Sequence, residues 1–422
     1  MPDRYDVVIA GAGPAGAQCA RDLAERGYEV LVLETEPEGT FPAQSNKSTG
    51  GTFPSMMGSF GIPDDVVMNY TDSVVLESPS ENFNLTQPGA VLEFADFKRY
   101  LVRDGRERGA TYCFDARVSQ PIMEDGAVAG VRYGGGKEVY ADIVVDATGP
   151  SAPIAKALGM SELQRSKQAI GIEWEFDGVD LDCPDYADLT DAMMLRLDHD
   201  LAPGGYAWIF HTGADTAKVG LCFIQNEKYS PEAERVRIDD ALTRWLDDDP
   251  RFANAERIDD SQHRGSAHIQ PPGQLSTDGF MAIGDTVPSI DPLWGQGIDK
   301  CMKSGRAAAV TADRCFTGRM DTSADEMTIY DTLWHRDVAP KVAVRLLMTH
   351  LLYYAPTERY DRLIRDLHRL SNDTLTAANG GNPLALAKLF HVGDVSLLKE
   401  FAADHRDLIG QLLPVPRSLL PE

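Results

Sequence analysis

Long apolar runs, metal-spaced cysteines and basic patches are all missing from this chain of 422 residues. No stretch approaches the ~20 apolar residues that a membrane-spanning helix requires. The nearest, 342-VAVRLLMTHLLYYA-355, is interrupted by Arg345 and His350. It reads as a buried helix, with a lipid-facing amphipathic helix as the alternative. The six cysteines form no CxxC pair and the nine histidines no HxxxH pair, so neither a metal nor an iron–sulfur cluster is expected. Unpaired cysteines predict reduced thiols and a cytoplasmic protein. A strand that starts within the first few residues leaves no space for a signal peptide, which points the same way. Lysine is scarce: only 12 of the 40 basic residues are Lys, against 65 acidic residues and a net charge of −25. The acidic excess is dispersed, which suits solubility at high salt and points to a halophilic source. It also leaves no basic face for nucleic acid.

What is present is ordinary for a folded protein, with 43% hydrophobic and 8% aromatic residues. The chain is long enough for two or three domains. Residues 5–10 (YDVVIA), a helix over 14–26 and 28-YEVLVLE-34 make a strand–helix–strand unit. A Gly/Ser/Thr/Pro-rich loop over 39–54 follows, then a helix over about 95–109 and strands near 111–118 and 127–133. The segment 134-GGGK-137 reads as a hairpin turn before a buried strand in 139-VYADIVVDATG-149. From about 160 to 270 the pattern changes to longer alternating segments: 168-QAIGIEWEF-176, 192-AMMLRL-197, 205-GYAWIFH-211 and 217-AKVGLCFI-224. These predict a mainly antiparallel sheet. The strand–turn–helix pattern returns at 279-GFMAIGD-285, and residues beyond about 325 read as helical. The expected architecture is α/β. A nucleotide-binding domain is built from 1–70, 95–160 and 271–320, a sheet domain from 71–94 and 161–270, and a helical region from 321–422.

The motif 11-GAGPAG-16 is a G-x-G-x-x-G between a strand and a helix. Gly11 permits the tight turn, Gly13 lets a pyrophosphate approach the backbone, and Gly16 lets helix and strand pack closely. Glu34 ends the second strand near the ~20-residue spacing at which a carboxylate accepts from a ribose diol. This much fits NAD and FAD equally. Two later motifs separate them: 146-DATG-149, and 279-GFMAIGDTVPSIDPLWGQGIDKCMKSGRAAA-309. In the second, Gly284-Asp285 turns a strand so that Asp285 can meet a ribityl or pyrophosphate group. Gly295 and Gly297 keep the next loop bare enough to lie along a ring edge, and the following helix aims its positive end at that ring. A further feature is 206-YAWIF-210, where Tyr206, Trp208 and Phe210 share one face of an extended strand.

Gly11, Gly13, Gly16, Glu34, Asp146, Gly149, Gly284-Asp285 and 292-PLWGQGI-298 together resemble the FAD site of the glutathione-reductase/p-hydroxybenzoate-hydroxylase group. Arg99, in 97-FKRYL-101, matches the arginine that this group places near the FAD phosphates. The resemblance spans residues 5–309. It implies a Rossmann-type FAD-binding domain of the p-hydroxybenzoate-hydroxylase type, an inserted antiparallel-sheet substrate domain and a helical C-terminal region. FAD contacts are implied for the same residues and for Ala15, Thr49, Gly50, Gly295, Gly297 and Ile298. Within the group, the chain is similar to the geranylgeranyl reductase family, whose Tyr-x-Trp-x-Phe-Pro signature has its three aromatics in 206-YAWIF-210. His211 stands where that family has Pro. In 47-KSTGG-51, which corresponds to the family's Cys-Gly-Gly element, Thr49 takes the Cys position. Trp294 stands where a small residue is commoner.

This likeness implies an FAD-dependent reductase that saturates isolated C=C bonds of geranylgeranyl chains, in digeranylgeranylglycerophospholipid or a related isoprenoid lipid. A menaquinone or carotenoid prenyl chain is a variant of that reading. An FAD-dependent monooxygenase is a competing class, as is a prenyl escort that has lost FAD; Glu34, Arg99 and Asp285 oppose the escort. An isolated alkene cannot stabilise a carbanion, so the reaction must protonate the alkene and deliver hydride, with positive charge growing on the more substituted carbon. Faces of Tyr206, Trp208 and Phe210 favour that charge by roughly 0.5–2 kcal/mol per well-placed ring and exclude water. The proton donor is not legible in the sequence: Tyr206 and the cofactor are candidates, while alternation puts His211 on the other strand face. His263 and His268 read as structural, and Asp291 and Gln296 as shaping the flavin loop that they flank, with substrate contact as the alternative. No second G-x-G-x-x-G occurs, so a small carrier such as ferredoxin, or transient NAD(P)H contact, is expected to supply electrons. A prenyl-lipid substrate makes peripheral contact with a membrane surface a further expectation.

Overall fold

The computed structural model describes residues 3–44, 46, 49–226, 228–229, 236–258, 262–318 and 320–412. An unbroken Val/Ile run forms β1 (Arg4–Ala10), and Val7, Val8 and Ile9 are fully buried. Pro14 presets the first turn of α1 (Pro14–Ala24), and β2 (Val30–Leu33) then pairs parallel to β1. Next come β3 (Gly51–Thr52), α2 (Pro54–Phe60) and a long hairpin of β4 (Val67–Glu77) and β5 (Asn82–Leu92). Glu93 caps α3 (Phe94–Glu107) by accepting from the Ala95 N–H at 3.1 Å. Then follow β6 (Thr111–Cys113), β7 (Val118–Glu124), β8 (Ala127–Tyr133) and β9 (Lys137–Asp146), with the glycine run 134–136 turning β8 into β9. After α4 (Pro153–Ala157) come β10 (Gln168–Asp177), β11 (Ala192–Arg196), β12 (Gly205–Gly213) and β13 (Thr216–Ile224). The chain continues through α5 (Ile238–Asp248), β14 (Glu256–Arg257), β15 (His263–His268), β16 (Ser276–Thr277) and β17 (Phe280–Ala282). It ends in α6 (Ile298–Thr317), α7 (Ala324–Leu333), α8 (Val342–Tyr353), α9 (Glu358–Leu367), α10 (Asn372–Asn379), α11 (Pro383–Leu386) and α12 (Val395–Asp404), separated by short turns.

The strands make two sheets. In the first, β17, β9, β1, β2 and β6 run parallel in that order, with β16 antiparallel at one edge and the β7–β8 hairpin beside β9. Because these strands pair in parallel, the carboxyl ends of β1, β9 and β17 lie together at one edge of the sheet. The second sheet is antiparallel except where β11 meets β4 in parallel, in the order β14, β10, β13, β12, β11, β4, β5, β3, with β15 beside β10. The first core extends past residue 320, where the helical region was expected to begin. Tyr330, Leu333 and Trp334 join it, because α7 covers the β16 edge and the Tyr330 hydroxyl donates to the Ala282 carbonyl at 3.0 Å.

Strand β12 separates two environments. Ala207 and Ile209 face a core closed by Ala241, Leu242 and Trp245 of α5. Tyr206, Trp208 and Phe210 face the other way, towards Leu76, Leu195, Ile364 and Leu367. A buried ion-pair group ties the outer side of this sheet together. Arg251, 1% exposed, donates to Glu77 at 3.1 Å and Asp249 at 2.7 Å, and Arg196 reaches Glu77 at 2.6 Å.

Candidate active site

A cavity of about 1240 Å³ is lined by both sheets and by helices α8 to α11. Ligand pockets commonly hold ~300–1,000 Å³, so this one has room for more than a single small molecule. Its two halves differ in chemistry.

The polar half is built on the ends of β1, β2, β9 and β17. Gly11 has a φ of +104°, and a Cβ there would stand 2.4 Å from the Ala147 carbonyl oxygen, so no other residue fits. The N-terminus of α1 has no side-chain cap and no acid in its first turn, and nothing lies within 4 Å of where a Cβ on Gly13 would be. Gly13, Pro14 and Ala15 line the cavity, so the helix start borders open space. Glu34 lines this half, with Oε2 accepting the Ala12 N–H at 2.8 Å and Oε1 the Glu36 N–H at 3.0 Å. Burial pushes the Asp285 carboxyl up to about 6; Ser289 Oγ, at 3.5 Å, is its nearest hydroxyl donor. Ala15, Thr49, Gly149, Gly295, Gly297 and Ile298 also line the cavity, the last three at the N-terminus of α6.

Four expected contacts stand elsewhere. Gly16 and Gly50 pack on backbone, against the carbonyls of Gly11 and Leu92. Asp146 is fully buried and accepts from Thr148 N–H (3.1 Å) and Oγ1 (2.6 Å) and from the N–H groups of Ile154 and Ala155 (3.1 Å each). Its carboxyl closes the turn after β9 and the start of α4, while burial raises its pKa. Arg99 points outward, half exposed, and pairs with Asp96 at 2.7 Å. Lys98, one position earlier and 2% exposed, is the α3 cation on the cavity wall. Lys47 and Ser48 of the 47–51 segment lie outside the described residues.

The other half is apolar. Tyr206, Trp208 and Phe210 all line it, with successive ring centroids 5.8 and 6.5 Å apart. The Tyr206 hydroxyl donates to the Trp294 carbonyl at 3.2 Å, and the Trp294 indole N–H reaches Asn379 at 2.9 Å. Side chains of α8 and α9, among them Leu352, Tyr353 and Leu363, form the facing wall. The 342–355 segment is thus a helix that helps to enclose this space. His211 is turned away from the rings: Nε2 lies 2.9 Å from the Ala214 carbonyl and Nδ1 3.1 Å from Asn69 Nδ2. His263 and Gln296 line the cavity, whereas His268 and Asp291 do not. Asp291 pairs with Arg345 at 2.6 Å and accepts the N–H groups of Leu293 and Trp294, which fixes the loop beneath Tyr206.

Sequence reasoning missed Glu173. It lines the cavity beside Trp208, whose indole N–H donates to Glu173 Oε2 at 2.9 Å. Burial pushes this carboxyl up to about 7, partly opposed by Lys218 and by the Trp208 hydrogen bond. The signal was an acid in the middle of the strand 168-QAIGIEWEF-176, on the same strand face as Gly171.

The polar half fits a flavin dinucleotide. An uncapped helix N-terminus with open space before it suits a pyrophosphate, Glu34 a ribose diol, and the partly buried Asp285 a hydroxyl donor. This is the site of an FAD-dependent oxidoreductase: residues 6–236 match the family model described as FAD dependent oxidoreductase, and the chain belongs to that family and, within it, to the geranylgeranyl reductases. It is 66% identical over 406 residues, 96% of this chain and 99% of the relative, to the digeranylgeranylglycerophospholipid reductase of Haloferax volcanii. It is also 30% identical over 351 residues, 79% of this chain and 82% of the relative, to the protein of that name in Methanosphaerula palustris. A geranylgeranyl bacteriochlorophyll reductase-like protein of Thermoplasma acidophilum superposes with a TM-score of 0.80 at 22% identity, covering 96% of this chain and all of the other. A flavin-dependent brominase superposes at 0.71 and 21% identity, over 97% of this chain and all of the other. Both share the fold. FAD is the cofactor of the enzyme.

Proposed function

We propose that this enzyme saturates the isolated double bonds of the geranylgeranyl chains of digeranylgeranylglycerophospholipid. The observation that carries the reading is the continuity of the two halves: an aromatic-walled apolar space opens directly onto the flavin site. The name and 66% identity of the Haloferax relative support the same substrate.

In this reading the polar half holds FAD through the α1 N-terminus, Glu34, Thr49, Asp285 and the 295–298 turn. Reduced FAD, when bound, supplies the hydride. The residues of the apolar half do the rest. They straighten and seat the prenyl chain, exclude water that would trap a cation, and present ring faces to positive charge on the more substituted carbon. Tyr206 is fixed by its bond to the Trp294 carbonyl, so the ring wall is set before substrate arrives. Electrons come from a carrier such as ferredoxin, or from NAD(P)H.

The lipid must enter from a bilayer. Among the described residues no helix is long and apolar enough to cross one. Peripheral contact is supported by exposed Leu384 (81%) and Val392 (91%), close in sequence to Leu386, Leu389 and Phe390, which line the cavity. Six free cysteines suit a cytoplasmic enzyme. The reading is tested by supplying the reduced holoenzyme with digeranylgeranylglycerophospholipid and following lipid mass. Gains in steps of two hydrogens are expected; unchanged lipid, or lipid that has gained oxygen, would exclude it.

A further inference from the structure

The apolar half of the cavity contains a buried acid with a free oxygen. Glu173 is 3% exposed, and its Oε1 has no hydrogen-bond partner. A buried polar atom in that state is costly unless a ligand or a reaction uses it. Its other oxygen is held by the Trp208 indole, and the sheet is shaped for that bond. Trp208 and Glu173 both lie opposite Gly220, on the two strands that flank β13. A Cβ at Gly220 would stand 2.4 Å from the indole Cζ2, so the glycine clears the path along which Trp208 reaches across the strand.

The other candidates on this wall are poor proton donors. The Tyr206 hydroxyl is already committed to the Trp294 carbonyl, and burial raises its pKa well above the ordinary value. Burial pushes the Cys222 thiol up to about 12 and lowers the pKa of His263, which keeps that imidazole neutral. Asp285 belongs to the polar half.

We propose that Glu173 is the acid that protonates the substrate alkene, with Trp208 holding its carboxyl against the aromatic wall. The inference rests on the reductase reading above. The alkene π pair takes the proton from the Glu173 O–H, forming a C–H bond at the less substituted carbon and leaving a carboxylate. The cation on the neighbouring carbon accepts hydride from the reduced flavin, so proton plus hydride complete the saturation with two electrons. The carboxylate, held by the indole N–H, regains its proton from water between turnovers. A carboxyl pushed up to about 7 is protonated at neutral pH in a useful fraction of molecules and gives its proton up readily. The groups facing it are Lys218 from β13, Glu175 on its own strand, Glu93 before α3, and His263 in register on β15. Lys218 favours the carboxylate that forms; the two glutamates favour the acid that starts.

Glu173→Gln keeps the shape and the Trp208 contact but has no proton to give. The expected result is a loss of reduction rate of about 10²–10⁴-fold, with FAD affinity and lipid binding within about twofold of wild type. Glu173→Asp should recover part of the rate with a displaced pH profile. Infrared titration of the cofactor-free protein supplies a second readout: a carboxylic-acid carbonyl component, found as the difference between wild type and E173Q and so separate from Asp285 and Asp146, that disappears near neutral pH. A Gln variant that keeps the rate or the wild-type pH profile overturns the proposal, as does a wild-type carboxyl already ionised at pH about 6. Wild-type enzyme that leaves the lipid unsaturated overturns the reductase reading instead, and the infrared titration still decides whether Glu173 holds a proton.

Discussion

Glu173 sits on a strand whose alternate residues Ile172 and Phe176 enter the core against α5, so by alternation its own face would be read as exposed. Only the register across three strands reverses that. Trp208, Gly220 and Glu173 come into line, and the α8–α11 region closes over them. No window of consecutive residues carries this information, since Trp208 and Glu173 are far apart in the chain. By contrast Gly11, Glu34 and Asp285 were legible, because each is set by a local turn at the end of one strand. Arg99 and Lys98 show the limit of a short motif: a helix turns ~100° per residue, so a one-position error in reading 97-FKRYL-101 exchanges a cavity wall for solvent. Glu173 also has a thermodynamic signature. Its carboxyl stands at about 7 when folded, against an ordinary value of 4.5. Between those values the folded state holds a proton that the unfolded state has lost, so stability falls as pH rises through the window and levels off above about 7. E173Q should match wild type near pH 4.5 and become the more stable protein above about pH 7, by on the order of 3 kcal/mol. Denaturant unfolding of the cofactor-free proteins at the two ends checks it; an equal gap at both would count against a raised carboxyl.

At the scale of elements, what the sequence made plain was the opening strand–helix–strand unit and the alternating strands of the second sheet. The β4–β5 hairpin was harder to see. The residues of β4 do not alternate regularly, and the hairpin's place comes from pairing with β11 and β3, partners distant in the chain. What fastens β4 to the sheet's outer layer is the Arg251 group. Arg251 is enclosed, and removing it leaves the Asp249 carboxylate buried without its cation and Glu77 with Arg196 alone. Breaking such a pair costs about 3–5 kcal/mol. Arg251→Met should therefore lower the unfolding free energy by that order in denaturant titration. Because Arg251 lies on the side of the sheet opposite the cavity, the enzyme that remains folded should keep its affinity for FAD.

For the whole molecule, the net charge of −25 governs how the protein meets a surface. Such a protein is repelled by an anionic bilayer at low salt, and the repulsion is confined to contact as the Debye length falls from ~10 Å at 0.1 M to ~3 Å at 1 M. Apolar side chains such as Leu384 and Val392 can then insert. Sedimentation with anionic lipid vesicles should be weak near 0.1 M salt and strong above 1 M, and L384E with V392E should abolish it while leaving the circular dichroism spectrum unchanged. Vesicle binding that weakens steadily with salt would place attraction, rather than insertion, at the surface.

The two halves of the cavity are one space, and this has a bearing on what the enzyme avoids. A reduced flavin left open to solution loses its electrons to dioxygen. A lipid tail seated in the apolar half, as proposed above, would fill that side of the space and keep the gas from arriving there, so the substrate would act as a stopper while it waits its turn. Lipids with shorter tails would leave the passage partly open, and the electrons wasted per bond saturated should grow as the tail shrinks.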